Sequence, residues 1–189
     1  PADIDAQAEV IGAAKVFVTQ LEQPQDAAMR ALALAREGGA VTILNPAPAA
    51  AIPDAMLALC DYVTPNETEA SDLTGIKVTG PDDARRAAEA LLARGVRRAV
   101  IVTLGENGAF WFDGTTALHV PALNAGPVVE TTGAGDAFNG GFATALAEGR
   151  PPEEALRFAN ATAAISVTRP GTAPSMPARA EIDALLARA

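Results

Sequence analysis

The 189-residue sequence contains one cysteine and one histidine, and only 4% of it is aromatic. Cys60 has no internal partner, which excludes an intramolecular disulfide and fits a reducing cytoplasm. One His and one Cys leave no ligand set for the usual His/Cys zinc site. A Ser-His-acid triad would have to use His119, but "TTALHV" alternates like a strand, and an ordinary strand position is the plainer reading. Scarce aromatics mean that the core must be aliphatic. No run of about 18 apolar residues occurs, so no membrane span is expected. The opening "PADIDAQAEV" lacks a basic region followed by an apolar stretch, so it does not read as a signal peptide. It also lacks an initiator Met, which is compatible with a cut. Positive charge is short as well: the net charge is −9. That argues against non-specific nucleic-acid binding and means that a polyphosphate ligand needs a cation or backbone donors to hold it. These absences leave carboxylate chemistry, backbone N–H groups and hard metals held by oxygen.

With 49% hydrophobic and 20% charged residues, the chain reads as globular, with enough length for one sizeable α/β domain. Strand-like and helix-like segments alternate. "AKVFVTQLE" is a short β-branched run, and "QDAAMRALALAREGG" a helix closed by Gly38-Gly39. "AVTILNPAPA" is a strand stopped by Asn45-Pro46, "AIPDAMLALC" a short helix, and "DYVTPNETEA" a strand ending at Pro65. A helix then starts at Asn66, an N-cap residue type with acids in the turn that follows. "GPDDARRAAEALLARG" is a helix with Pro81 at its start and Gly95 past its end. "RAVIVTL" is a continuous apolar run, as in a central parallel strand. Asp113-Gly114 sits between two strand-like runs and predicts a tight hairpin. Three helices follow, in "GAGDAFNGG", "PPEEALRFANATAAISVTR" and "ARAEIDALLARA". The expected fold class is α/β, a mostly parallel sheet with helices on both faces. Ligands in such folds sit beyond the carboxyl ends of the strands. That places Gln20-Leu21-Glu22, Asn45-Pro46, Pro65–Glu69 and Thr103–Gly108 on one rim.

The segment "TTGAGDAFNGG" puts Gly133, Ala134 and Gly135 directly before Asp136 at a helix start. It fails as a P-loop, because Gly141 and Phe142 stand where Lys and Ser/Thr belong. It fails as a dinucleotide fingerprint, because Phe138 stands where the third Gly belongs. Small residues at a helix start still leave backbone N–H groups pointing outward, with the positive end of the helix dipole behind them. That arrangement suits a phosphate or a transition-state anion. An ionised acid beside it can deprotonate an attacking hydroxyl. Spacing alone leaves three readings open: a capped tight turn, a phosphate cradle, and a catalytic base.

The same segment resembles the C-terminal signature of the ribokinase family of sugar kinases, the phosphofructokinase-B superfamily. "QLE", "ILNPAPA", "TPNETEASDLTGI", "IVTLGENGAF" and "RFANATAAISVTRPGTAPSMP" match it in the same order, over essentially the whole chain. Within the superfamily, "NPAPA" and "VTRPGTAPS" resemble the ribose-phosphorylating members rather than fructokinases or adenosine kinases. The resemblance implies transfer of the ATP γ-phosphate to a sugar's primary hydroxyl. It makes Asp136 the base, and Gly133, Ala134 and Gly135 the anion hole. It makes Asn66 and Glu69 the N-x-x-E pair that organises Mg²⁺ through water, although Asn66 with Glu69 also has the spacing of a capping box. Thr103, Leu104, Gly105, Glu106, Asn107 and Gly108 match the loop beside the ATP phosphates, and Asn160 a position near the adenine. Glu22 matches an acid that hydrogen-bonds the ribose hydroxyls; without the resemblance it reads as a solvated strand-end acid. The implied K⁺ ligands are Glu130, Thr132, Ser166, Arg169, Gly171 and Ser175, several through backbone carbonyls. Here the sequence departs from the family, since Glu130 stands where Asp is usual.

A full family member carries more than a third of its length ahead of the segment matching "QLE". That part holds the first strands, a Gly-Gly sugar-binding segment and a lid that often forms a dimer interface. The expectation is therefore a single α/β nucleotide-binding and catalytic domain over 1–189, incomplete at its N-terminal side and belonging to a cytoplasmic homodimer. The expected partners are ATP and a small sugar. The alternatives are a kinase for another sugar or nucleoside on this fold, and a non-catalytic nucleotide-binding module.

Overall fold

The computed structural model describes residues 1–188. The described residues form two compact units: 1–104 with 110–119, and 105–109 with 120–188. In the first unit two short helices, α1 (Ala2–Asp5) and α2 (Ala8–Gly12), precede strand β1 (Val16–Thr19). Neither helix is expected from residue patterning, and neither has a side-chain cap. Helix α2 meets α3 (Gln25–Glu37) closely: a Cβ on Gly38 would lie 2.2 Å from the Gly12 carbonyl oxygen.

Strands β1, β2 (Val41–Leu44), β3 (Tyr62–Val63) and β4 (Ala99–Thr103) are parallel neighbours, in register at Val16↔Val41, Leu44↔Val63 and Val63↔Val100. Helices α3, α4 (Asp54–Leu57), α5 (Glu67–Thr74) and α6 (Pro81–Ala93) make the crossovers that parallel strands require. Strands β5 (Ala109–Phe112) and β6 (Ala117–Val120) complete the six-strand order β1-β2-β3-β4-β5-β6. Their connections are too short for a crossover, so the sheet is mostly rather than wholly parallel. The hairpin is tight, as Asp113-Gly114 predicts: the Asp113 N–H donates to the Thr116 carbonyl at 3.3 Å across Gly114 and Thr115. The Asp113 carboxylate accepts the N–H groups of Thr115 and Thr116 at 2.9 and 2.7 Å, an Asx turn that reinforces it.

The core of this unit is aliphatic, as the scarcity of aromatics requires. Leu32, Leu44, Met56, Leu57, Val63, Ala88, Leu91 and Val100 form one cluster with Phe110 and Phe112. Both faces of the central strand are covered, and Ala99 to Val102 are all fully buried. Cys60 lies in this cluster, and burial pushes its thiol up to about 12, so it is a packing residue. At the sheet's amino end the buried Asp61 carboxylate accepts the Thr42 N–H at 3.1 Å and pairs with Arg97 and Arg98.

The second unit is built on α7 (Ala134–Ala147), α8 (Pro152–Ser166) and α9 (Arg179–Leu186). Gly141 of α7 faces α8 so closely that a Cβ would lie 2.6 Å from the Thr162 hydroxyl and 3.0 Å from Ala159 Cα. The Phe158 ring of α8 carries two guanidinium groups, Arg150 at 4.6 Å and Arg179 at 5.2 Å, and Glu148 pairs with both. That stack ties α9 to the turn between α7 and α8.

Candidate active site

In the first unit the rim expected from the sequence is present as a row of hydrogen bonds across four strand ends. Gln20 donates to Asn45 at 2.9 Å, and Asn45 donates to the Thr64 carbonyl at 3.0 Å. The Thr103 N–H donates to the Pro65 carbonyl at 2.9 Å, and Asn66 and Thr103 form an isolated parallel bridge. Glu22 stands exposed beside this row.

Asn66 caps α5. Its side-chain oxygen accepts the Glu69 N–H at 2.8 Å, and Glu69 accepts the Asn66 N–H at 2.9 Å. The capping reading of this pair is therefore realised in the fold. Glu69 is only 8% exposed, and burial raises its carboxyl above the usual range, with the Asn66 N–H opposing the shift. The Leu104 side chain lies in the core, so only its backbone is left to face a ligand.

In the second unit Gly105–Asn107 form an exposed 3₁₀ turn. Gly108 closes it with φ +91°, and a Cβ there would lie 2.1 Å from the Val120 carbonyl oxygen. Asn160 serves the same segment, donating from its side-chain nitrogen to the carbonyls of Val120 and Pro121, each at 3.0 Å. Its amide is thus committed to shaping that wall.

Helix α7 starts from Gly133 in the left-handed region, φ +80°. The Ala134 N–H turns back to the Thr131 carbonyl at 3.1 Å. Gly135 is exposed and nothing lies within 4 Å of where a Cβ would stand. Asp136 is exposed in the first turn. The first-turn N–H groups have no intrahelical acceptor, and the dipole favours negative charge there.

The segment before this helix is held to the loop after α8. The Glu130 carboxylate accepts the Gly171 N–H at 2.7 Å, and the N–H groups of Val129 and Glu130 both donate to the Val167 carbonyl. The Gly171 N–H, and after it the Thr132 hydroxyl, hold the Glu130 carboxyl below the usual range. Thr172 packs 3.3 Å from where a Gly133 Cβ would be. Ser166 and Ser175 are buried, and their hydroxyls donate to the carbonyls of Ala163 and Thr172. Arg169 pairs with Glu181, which also accepts the Ala178 N–H at 2.8 Å and so caps α9.

The implied cation ligands Glu130, Thr132 and Gly171 are thus joined by direct contacts, and Arg169 links to Ser166 through its N–H. Among the described residues no three His, Cys, Asp or Glu side chains converge as a metal cage. Mg²⁺ does not require one: it keeps waters and phosphate oxygens and takes one or two carboxylates. The oxygen-only donors Asn66 and Glu69 suit such an ion. Sequence reasoning missed Gln20 and Asn45 as partners, and it missed Thr172 and Glu181. The only available signal was Asn45 beside Pro46, which reads as a strand stop.

The family model described as pfkB family carbohydrate kinase matches residues 2–179. A ribokinase from Haemophilus influenzae is 41% identical over 165 residues, covering 87% of this chain and 53% of that protein. A deoxyribokinase from Salmonella typhi is 40% identical over 178 residues, covering 94% of this chain and 58% of that protein. The structure of Arabidopsis thaliana ribokinase complexed with ribose and ATP superposes with a TM-score of 0.92 at 35% identity, over 96% of this chain and 59% of that one. The chain thus spans little more than half the length of these relatives. Among the described residues no helix is long and apolar enough to cross a membrane.

Proposed function

The chain belongs to the pfkB family of carbohydrate kinases, and on that footing we propose that it carries the nucleotide-binding and catalytic part of a ribokinase. The reaction moves the ATP γ-phosphate to the primary hydroxyl of D-ribose and gives ribose 5-phosphate and ADP. The observation that carries this reading is the start of α7. An exposed carboxylate, Asp136, stands in the first turn of a helix whose cap is glycine and whose Gly135 leaves open space.

Asp136 takes the proton of the sugar hydroxyl as its oxygen bonds the γ-phosphorus and the bond to the β-phosphate oxygen breaks. The N–H groups of Gly133 and Gly135 and the helix dipole receive the charge on the transferring group, the Ala134 N–H being held by the Thr131 carbonyl. Thr103–Gly108 line the phosphates, Asn160 shapes the adenine side, and Glu22 holds ribose hydroxyls. Asn66 and Glu69 would hold Mg²⁺, which would supply positive charge that a chain of net charge −9 lacks. Glu130, Thr132, Ser166, Arg169, Gly171 and Ser175 would hold K⁺, several through backbone carbonyls, and the ion would add positive charge to the site. Glu130 is one methylene longer than the usual Asp, so the K⁺ requirement is expected to be weaker. The working protein is a homodimer.

Asp136→Asn should lower turnover by at least about a hundredfold and leave ATP·Mg²⁺ affinity by calorimetry unchanged. Turnover near that of the parent would remove Asp136 as the base. The deoxyribokinase relative is as similar as the ribokinase one, so deoxyribose is the competing substrate. Comparing kcat/KM for ribose, deoxyribose, fructose and nucleosides separates them, and a preference for any acceptor but ribose overturns the narrower claim. ATP·Mg²⁺ binding with no turnover on any acceptor favours the non-catalytic module.

A further inference from the structure

The rim of the first unit contains a buried amide that none of the proposed chemical steps uses. Asn45 is 7% exposed at the end of β2, and its polar groups reach both neighbouring strand ends. Its Oδ1 accepts from Gln20 at 2.9 Å, its Nδ2 donates to the Thr64 carbonyl at 3.0 Å, and its N–H donates to the Thr19 carbonyl at 2.9 Å. The Asn45 carbonyl accepts the Ala47 N–H at 2.8 Å, and the Ala47 carbonyl then accepts the Leu21 N–H at 2.8 Å. Gln23 in turn donates to the Gln20 carbonyl at 2.6 Å. On the other side Thr64 leads through Pro65 to Asn66, and the Pro65 carbonyl holds the Thr103 N–H.

A buried amide is costly unless it is hydrogen-bonded, and an aliphatic side chain would fill the same space. Packing therefore does not account for it. What it does is tie two segments that leave the sheet where the strand pairing stops, at Thr19 and at Val63. One segment carries Glu22 and the other carries Asn66 and Glu69. We propose that Asn45 is a positioning residue that sets the sugar-side segment 20–23 and the metal-side segment 64–69 by separate halves of one amide. Oδ1 governs the first through Gln20, and Nδ2 governs the second through Thr64. The functional part of this proposal rests on the roles given above to Glu22, Asn66 and Glu69.

Three variants separate the halves. Gln20→Met removes the bond to Asn45 Oδ1 and keeps the Nδ2 bond to Thr64. Asn45→Asp keeps an acceptor for Gln20 and removes the donor to Thr64. Asn45→Leu removes both. Steady-state kinetics should show the sugar KM raised about fivefold in Gln20→Met, with the Mg²⁺ concentration for half-maximal rate unchanged. Asn45→Asp should show the reverse, and Asn45→Leu both shifts. A merely structural role would move both parameters together in every variant, and that result overturns the proposal.

Amide hydrogen exchange reads the same relay without turnover. Leu21 should exchange faster in Gln20→Met, Thr103 faster in Asn45→Asp, and both faster in Asn45→Leu. Unchanged exchange in all three overturns the proposal whatever the kinetics. Glu22→Gln is the control on the underlying reading. If it leaves the sugar KM unchanged while the exchange pattern holds, Glu22 loses its role and the relay stands.

Discussion

Glu69 and Glu130 are shifted in opposite directions, and their expected pH signatures differ accordingly. Burial raises the Glu69 carboxyl above 4.5, so its charged form is disfavoured in the fold. That penalty applies above the raised value and is relieved as the pH falls through it toward 4.5. Glu69→Gln keeps an acceptor for the Asn66 N–H and removes the charge. It should flatten that part of the pH–stability curve and leave stability at neutral pH within about 1 kcal/mol of the parent, as read by urea unfolding. Glu69→Ala should lose about 0.5–2 kcal/mol. A stable Glu69→Gln that needs more Mg²⁺ would separate metal binding from capping. Glu130 behaves oppositely, because its carboxyl is held below 4.5 by the Gly171 N–H. The stabilisation it brings is fully present above 4.5 and is lost as the pH falls through the lowered value. Glu130→Gln should speed amide exchange at Gly171 at neutral pH and remove the acid-side loss. Asp136 and Asn66 were legible because capping and first-turn chemistry are local in sequence. Gln20 with Asn45, and Glu130 with Gly171, lie 25 and 41 residues apart, and backbone partners such as the Thr64 carbonyl leave no mark in residue types.

The two adjacent glycines of α7 give an internal comparison at the scale of an element. Gly140 has nothing within 4 Å of a built Cβ, whereas Gly141 has the Thr162 hydroxyl at 2.6 Å and Ala159 Cα at 3.0 Å. Gly140→Ala should therefore stabilise by about 0.5–1 kcal/mol, and Gly141→Ala should destabilise by about 1–3 kcal/mol by prising α7 from α8. Thermal unfolding of the two variants checks both signs. Helix limits were readable from punctuation: Pro81 opens α6, and Gly95, with positive φ, lies just past its end. Strands were readable as apolar runs. The hairpin was readable from Asp113-Gly114, but the bonds its carboxylate takes from the Thr115 and Thr116 N–H groups were not. Helices α1 and α2 were also missed, since four- and five-residue helices without side-chain caps have almost no local signature.

For the whole molecule the dominant fact is a net charge of −9, which opposes binding of the proposed polyanionic ligand, ATP. Chelating Mg²⁺ should weaken ATP binding by at least about tenfold, and added monovalent salt should not restore it, because screening does not replace a bridging cation. Calorimetry with and without chelator measures this directly. Fold class was legible at this scale because alternation of element types specifies a mostly parallel sheet. The division into two units was not, since it follows no sequence boundary. The chain passes between the units three times, at 104/105, 109/110 and 119/120. Dissection by recombinant expression is therefore constrained. A fragment starting at Val120 would leave behind Gly105–Ala109, whose Gly108 fits against Val120–Ala122. A fragment ending at His119 would carry those five residues away from their own unit. The two pieces are better suited to complementation on co-expression than to independent life as modules.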